Sequence, residues 1–373
     1  MLALLPIGAS AHAQLVTSNP EPGATLGATP AAVDLLFTEP VTPAGSGISV
    51  YGPDGSLAQS GPAHADGRRL SVVLTGSATG TYAVIWTVIA TDTHPSRGEF
   101  TFNVGHASPV RAPGLGGGDL GLVSPIGLVM QAVSRWLHFA GYALGIGAAI
   151  YSLFFAHDSR PLRLAGIGVG LLLVAEPLAL LAQTASLDPA QTFDGDALTS
   201  ALASPFGRVL GLRLAAALAL WAVLGALKQA PWLRWSVPAL GVALALADAT
   251  AAHAIPSLPQ PLGLALNAVH VFAMGTWVGG LAGFAIAPAG GFARVAIWSA
   301  ALLILSGIAL ALMHFGQLRD VMSTTYGEGL LLKLPLVALA LYMARLGRRR
   351  WELAALAAVV AVAAVIVSLP PAR

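Results

Sequence analysis

The chain has 373 residues, 56% hydrophobic and only 10% charged, with a formal net charge of +2 and no cysteine. Soluble domains carry roughly 25% charged residues, so this composition, with a mean hydropathy of +0.75, is that of a membrane protein. The small net charge argues against a nucleic-acid partner. The lack of cysteine excludes disulfides, iron–sulfur clusters and thiolate metal sites, leaving His, Met, Asp and Glu as metal ligands.

Residues 1–11 read as the tail of a signal peptide. A short apolar run is followed by the small-residue pattern Ala9-Ser10-Ala11, without a charged n-region. Cleavage after Ala11 would expose His12 and its α-amine. The overlapping pattern Ala11-His12-Ala13 would instead remove the histidine, and the sequence leaves both open.

Residues 12–105 predict an all-β domain. The runs Val33–Phe37, Gly47–Tyr51, Leu70–Leu74, Tyr82–Val88 and Phe100–Val104 are β-rich, several alternate apolar and polar, and turn signals such as Gly52-Pro53-Asp54-Gly55 separate them. That spacing suits a small immunoglobulin-like sandwich or barrel. His64, in the polar stretch Ala63–Asp66, reads as part of a solvated loop. Asp92-Thr93-His94 puts a carboxylate and an imidazole two positions apart. Together with the amine and ring of His12 they would make a nitrogen-rich tetragonal set, which suits Cu(II), provided that they meet in space.

A linker rich in Gly and Pro covers 106–125, and residues 126–370 form the membrane domain. Eight apolar segments predict eight transmembrane helices at roughly 126–156, 162–182, 208–227, 233–252, 262–287, 292–314, 329–346 and 352–369. Arg160, Arg163, Lys228, Arg234, Arg294, Arg345 and Arg348–Arg350 fall in loops on one side, and Asp188, Asp194 and Asp196 on the other. The positive-inside rule makes the first side cytoplasmic. The β-domain and the C-terminus are then extracytoplasmic, in a multi-pass protein of a bacterial inner membrane.

Ionisable residues inside a bilayer are costly and call for a partner or a use. The candidates here are His138, Glu176, Asp248, His253, His270 and His314, with Met274 four residues after His270 and Met313 beside His314. Nearly all fall in the outer half of their segments. His and Met suit Cu(I), and imidazole also serves Cu(II). His270 and Met274 make the leading membrane copper site, with His138, His253, His314 and Met313 as further ligands. Packing and interhelical hydrogen bonding are the plainer reading of each. Glu176 and Asp248 read as ion or proton relays, or as partners of Arg135 or Lys333.

Residues 12–105 resemble the CopC family of periplasmic copper-binding proteins. The resemblance rests on His12-Ala13-Gln14-Leu15, Ser18–Ala24, Leu36–Val41, Tyr51–Gly55 and Asp92–Phe102. It implies a β-sandwich that binds Cu(II) through His12, its amine, Asp92 and His94. Met is absent between Met1 and Met130, so the Met-rich Cu(I) site of some members is not expected. The membrane half resembles the CopD family through Arg135–His138, Asn267–His270 running into Trp277–Leu281, and Thr324–Lys333.

A CopC–CopD fusion implies copper capture outside, transfer to the bundle, and a part in copper import or resistance, with periplasmic or cytoplasmic copper chaperones as partners. No soluble-enzyme motif stands out. The alternatives are a haem or redox protein using bundle histidines as axial ligands, and a copper store or sensor without transport.

Overall fold

The computed structural model describes residues 13, 15–90, 95–110, 112, 124–187, 192–251, 260–314, 322 and 325–368. They divide into two compact units, one within 10–128 and 180–208, the other within 129–179 and 209–373.

The strands are β1 (Leu15–Asn19), β2 (Thr25–Leu26), β3 (Ala32–Phe37), β4 (Val41–Tyr51), β5 (Gln59–Asp66), β6 (Arg69–Leu74), β7 (Gly80–Ala90) and β8 (Pro95–Val104). They form two four-stranded sheets, ordered β1-β3-β6-β5 and β2-β8-β7-β4. Only the short β2–β8 pairing is parallel.

Period-two alternation builds the core. Val33, Leu35 and Phe37 of β3 point inward, as do Leu70 and Val72 of β6. From the other sheet come Ile48, Val50, Val84, Trp86, Val88, Phe102 and Val104, in one cluster. Each such side chain contributes about 1.5–3 kcal/mol by leaving water. Phe37 meets the Trp86 ring edge-on at 5.1 Å. Gly98, opposite Trp86 in the β7–β8 ladder, leaves room for the indole; a Cβ there would lie 2.3 Å from Trp86 Cζ2.

The predicted runs all fall within observed strands, but the stretch around His64 does not form a loop. It lies in β5, with His64 opposite Ser71. This is an edge strand of mostly exposed residues, burying only Ala63, so its sequence carries no hydrophobic alternation to read.

Among the described residues the helices are α1 (Pro125–Ala156), α2 (Arg160–Leu187), α3 (Gly195–Ala203), α4 (Pro205–Ala226), α5 (Ser236–Thr250), α6 (Gln260–Ile286), α7 (Phe292–His314), α8 (Thr325–Arg345) and α9 (Arg349–Ser368). Seven of them, α1, α2, α4, α6, α7, α8 and α9, are long and apolar enough to cross a membrane.

The expected count of eight is therefore corrected. The segment predicted over 233–252 is a 3₁₀ turn, Pro231–Trp235, followed by α5 with 15 residues. Fifteen residues rise only about 22 Å, short of a hydrocarbon core of about 30 Å. The short α3 is N-capped by Asp194, whose carboxylate accepts the Ala197 N–H at 2.9 Å. Its Ala201 packs with Ala44 of β4, Ile89 of β7 and Leu180, all within the first unit.

The spanning helices turn large apolar side chains outward. Leu212 and Trp221 of α4 and Ile297, Trp298, Leu305 and Leu312 of α7 are exposed, as lipid-facing residues are. Inside the second unit the backbones come close. α1 is interrupted by two π-helical stretches, Ala143–Ala148 and Ser152–Ala156. Gly279 of α6 lies against the first; a Cβ there would lie 1.7 Å from the Ala143 carbonyl oxygen. Small residues permit this approach, as in other membrane helix pairs.

Candidate functional site

Strand register brings the start of β1 and the end of β7, next in sequence to the expected copper ligands, to one end of the sandwich. β1 begins at Leu15, paired with Phe37, the last residue of β3. β4 begins at Val41, paired with Ala90, the last residue of β7. Only residues 38–40 join β3 to β4, a reach of at most about 14 Å. The Phe37 N–H donates to the Arg68 carbonyl at 2.9 Å and the Val41 N–H to the Gly67 carbonyl at 3.0 Å, which fixes this connection.

The start of β1 and the end of β7 thus lie at one end of the sandwich. Ala13 is buried in the same core, and Ile89 pairs with Pro95 where β8 begins. His12, Asp92 and His94 themselves lie outside the described residues.

A second candidate lies in the helical unit. His138 of α1 is buried between two carboxylates: its Nδ1 is 2.7 Å from Glu176 Oε1 of α2, and its Nε2 is 3.0 Å from the Asp248 carboxylate of α5. Arg213 of α4 donates from Nε to Asp248 Oδ1 at 2.7 Å. Exposures of 4% for His138, 2% for Glu176 and 7% for Asp248 put the cluster away from solvent. Tyr142, one turn beyond His138, donates its hydroxyl hydrogen to the Gly241 carbonyl at 2.8 Å. Burying two carboxylates is tolerable only because cationic and N–H partners meet them.

The carboxylates sit at opposite nitrogens of one ring, so the three side chains do not converge on a common point. Among the described residues no three His, Asp or Glu side chains are arranged to hold a metal ion. In this arrangement His138 has no ring nitrogen left for copper or for a haem iron.

The other membrane candidates are dispersed. His270 of α6 faces Ser306 of α7, with Nδ1 2.9 Å from the hydroxyl oxygen. That hydroxyl donates to the Leu302 carbonyl at 2.6 Å, so Nδ1–H is the donor to Ser306. Met274 packs into the cluster around Tyr142 and Leu244. Met313 is half-buried near the end of α7. His314 closes that helix with its side chain outside the described residues, and His253 lies outside them entirely.

Comparison with known proteins matches residues 15–105 to the CopC domain and residues 126–256 to the N-terminal domain of copper resistance protein D-like proteins. Copper resistance protein C of Xanthomonas campestris pv. juglandis is 36% identical over 111 residues, covering 27% of this chain and 87% of that protein. The chain belongs to the CopC family, as a CopC–CopD fusion. Copper transport protein CutJ of Bacillus subtilis is 24% identical over 371 residues, covering 89% of this chain and 66% of that protein. The crystal structure of CopC from Methylosinus trichosporium OB3b matches 26% of this chain and 98% of its own, at 29% identity and a TM-score of 0.24.

In the CopD-like half, two members of the site escaped sequence reasoning. Arg213 is a guanidinium within the apolar run of α4, and that position alone was a signal. It, with His138, partners the acids for which Arg135 or Lys333 was one of the expected partners. Arg135 instead donates to the carbonyl of Val367 on α9. Ser306 carries no signal of its own, because a serine in a membrane helix commonly bonds its own backbone. In the CopC half, the pairings that bring the start of β1 near the end of β7 are long-range and have no local signature.

Proposed function

We propose that this CopC–CopD protein captures Cu(II) outside the cytoplasm and passes copper to its membrane domain for uptake. Membership of the two families supports a role in copper resistance and transport rather than catalysis. Residues 1–11 act as a leader, and cleavage after Ala11 gives a domain of 12–105 that starts at His12. The α-amine and imidazole of His12, the Asp92 carboxylate and the His94 imidazole then hold the ion in a nitrogen-rich tetragonal set. The observation that supports this reading is the strand register, because the start of β1, the end of β7 and the start of β8 share one end of the sandwich.

Copper next meets His270, with Met274 as the soft ligand on the same helix. Basic residues Arg160 and Arg163 after α1, and Lys228 and Arg234 after α4, mark one side as cytoplasmic and support an extracytoplasmic β-domain. Trp232 and Trp235, exposed beside Arg234, suit the membrane interface.

The test uses the full chain purified after N-terminal sequencing. A protein starting at His12 is expected to bind one Cu(II) in the β-domain with tetragonal, nitrogen-rich EPR parameters. His94→Ala should weaken that binding strongly. His270→Gln should keep it while abolishing copper accumulation in cells. A mature start at Gln14, or unchanged Cu(II) affinity in His94→Ala, overturns the capture site; full accumulation by well-expressed His270→Gln overturns the membrane site.

A further inference from the structure

The cluster around His138 holds a fixed number of hydrogens. Two short contacts link the imidazole to two carboxylates, and each needs a hydrogen between nitrogen and oxygen. A neutral ring supplies only one, so a second hydrogen sits on the ring or on a carboxyl oxygen. Both placements give the same sum: Arg213 and one extra proton balance Glu176 and Asp248. Without that proton the site carries a net negative charge, a costly state for groups more than nine-tenths buried within a bilayer.

Among the described residues the surrounding helices offer no substitute. Glu176 is the single acid of α2, and Asp248 the single ionisable residue of α5. Arg160 and Arg163 of α2 and Arg208 of α4 stand near the starts of their helices, away from these acids in sequence. On α1, Arg135 bonds to the Val367 carbonyl of α9 and Tyr142 to the Gly241 carbonyl. The single ionisable residue of α6 is His270, which is turned to Ser306.

One feature separates this cluster from a static clamp. Glu176 Oε2 is buried with no hydrogen-bond partner among the described residues. Buried polar atoms are nearly always satisfied, and exceptions concentrate where chemistry happens. This open oxygen is a landing point for a proton on a carboxylate already joined to the ring.

We propose that His138, Glu176, Asp248 and Arg213 form a proton-binding site that releases its proton as a cation passes through the membrane domain. An N–H or O–H bond breaks, its electron pair stays on the heteroatom, and the proton goes to water; no oxidation state changes. The passing positive charge compensates the emptied site. When it has moved on, Glu176 Oε2 takes a proton back. The cation being copper rests on the uptake reading above; the proton count does not.

Two measurements on the full chain in lipid test this. The first combines nitrogen NMR of the His138 ring, assigned against His138→Gln, with infrared detection of a protonated carboxyl. At neutral pH a second hydrogen is expected on the ring or on Glu176, and Glu176→Gln should lose it. A ring with one bare nitrogen beside two ionised carboxylates overturns the proposal.

The second reconstitutes the chain in vesicles with a trapped pH dye and adds copper ions outside. Copper entry should be matched by proton movement in the opposite direction, and Glu176→Gln should lose that movement. Copper entry without proton movement overturns proton exchange and leaves uptake standing. No copper entry in the wild type overturns uptake, and the exchange with it.

Discussion

The two halves of the molecule are built from opposite arrangements of the same residue types. In the β-sandwich the buried polar side chains are hydroxyls, Ser18, Thr81 and Ser96, and the core is aliphatic and aromatic. In the helical unit Gln131, His138, Glu176 and Asp248 are buried, while Trp221, Ile297, Trp298 and Leu305 face outward. Water solvates the polar exterior of the first, and lipid the apolar exterior of the second. The same side chain therefore has opposite value in the two halves. An outward isoleucine costs nothing in the bundle, whereas an ionisable group is safe at a sandwich turn and must be partnered in a helix.

The sharpest way to break this contrast is to unbalance the bundle. Asp248→Ala leaves Arg213 without its carboxylate and His138 with Glu176 alone, and is expected to destabilise the full chain by about 3–5 kcal/mol. Thermal unfolding in detergent reads this, and an unchanged melting temperature would mean that the cluster is already wet.

A matched pair of apolar truncations comes next. Leu35→Ala in the fully buried sandwich core should cost about 2–5 kcal/mol. Ile297→Ala on the outward face of α7 should stay within about 0.5 kcal/mol. Comparable losses at the two positions would show that α7 packs against something other than lipid.

The smallest effect sharpens the polar surface of the sandwich. Asp54 accepts hydrogen bonds from the Ser56 backbone N–H at 3.0 Å and from the Ser56 hydroxyl at 2.8 Å. The backbone bond, then the hydroxyl, hold its carboxyl below the ordinary value of 3.8. A depressed carboxyl stabilises the fold above the ordinary carboxylate range, and that contribution is lost as pH falls through the folded value. Ser56→Ala should raise the Asp54 titration midpoint in an NMR titration and slightly lower stability at neutral pH, a difference that vanishes as pH falls through the folded value. No movement of the midpoint would assign the effect wholly to the backbone bond.

Much of the fold was legible because alternation and length are local signals. Val33, Leu35 and Phe37 announce β3, and apolar runs of about 20 residues announce the spanning helices. Two kinds of element were not. β5 is an edge strand whose polar sequence, Gln59–Asp66, reads as loop because its partner β6 rather than its own residues makes it a strand. α5 is apolar throughout, and only its 3₁₀ entry at Pro231–Trp235 shortens it.

The candidate sites divide the same way. His138, Glu176 and Asp248 could each be singled out as ionisable groups in apolar helices. That they meet one another, and that Arg213 completes the set, depends on the packing of four helices, over separations of up to 110 residues. His12, Asp92 and His94 were found through resemblance, since Asp-x-His alone is a weak pattern.

The π-helical turns of α1 act as an angular gear. Each wide turn accommodates one residue more than an α-turn, so side chains beyond it are rotated by about 100° from where an unbroken helix would put them. The face of α1 that carries His138 and Tyr142 is therefore decoupled from the face that carries Tyr151, whose hydroxyl bonds to the Ala287 carbonyl at 2.5 Å and whose ring meets Phe292 at 4.9 Å. A one-residue gap between positions 143 and 156, trivial in a loop, would here swing the C-terminal end of the helix onto a different neighbour. Chain length in this stretch is thus under a tighter constraint than the identity of most of its residues.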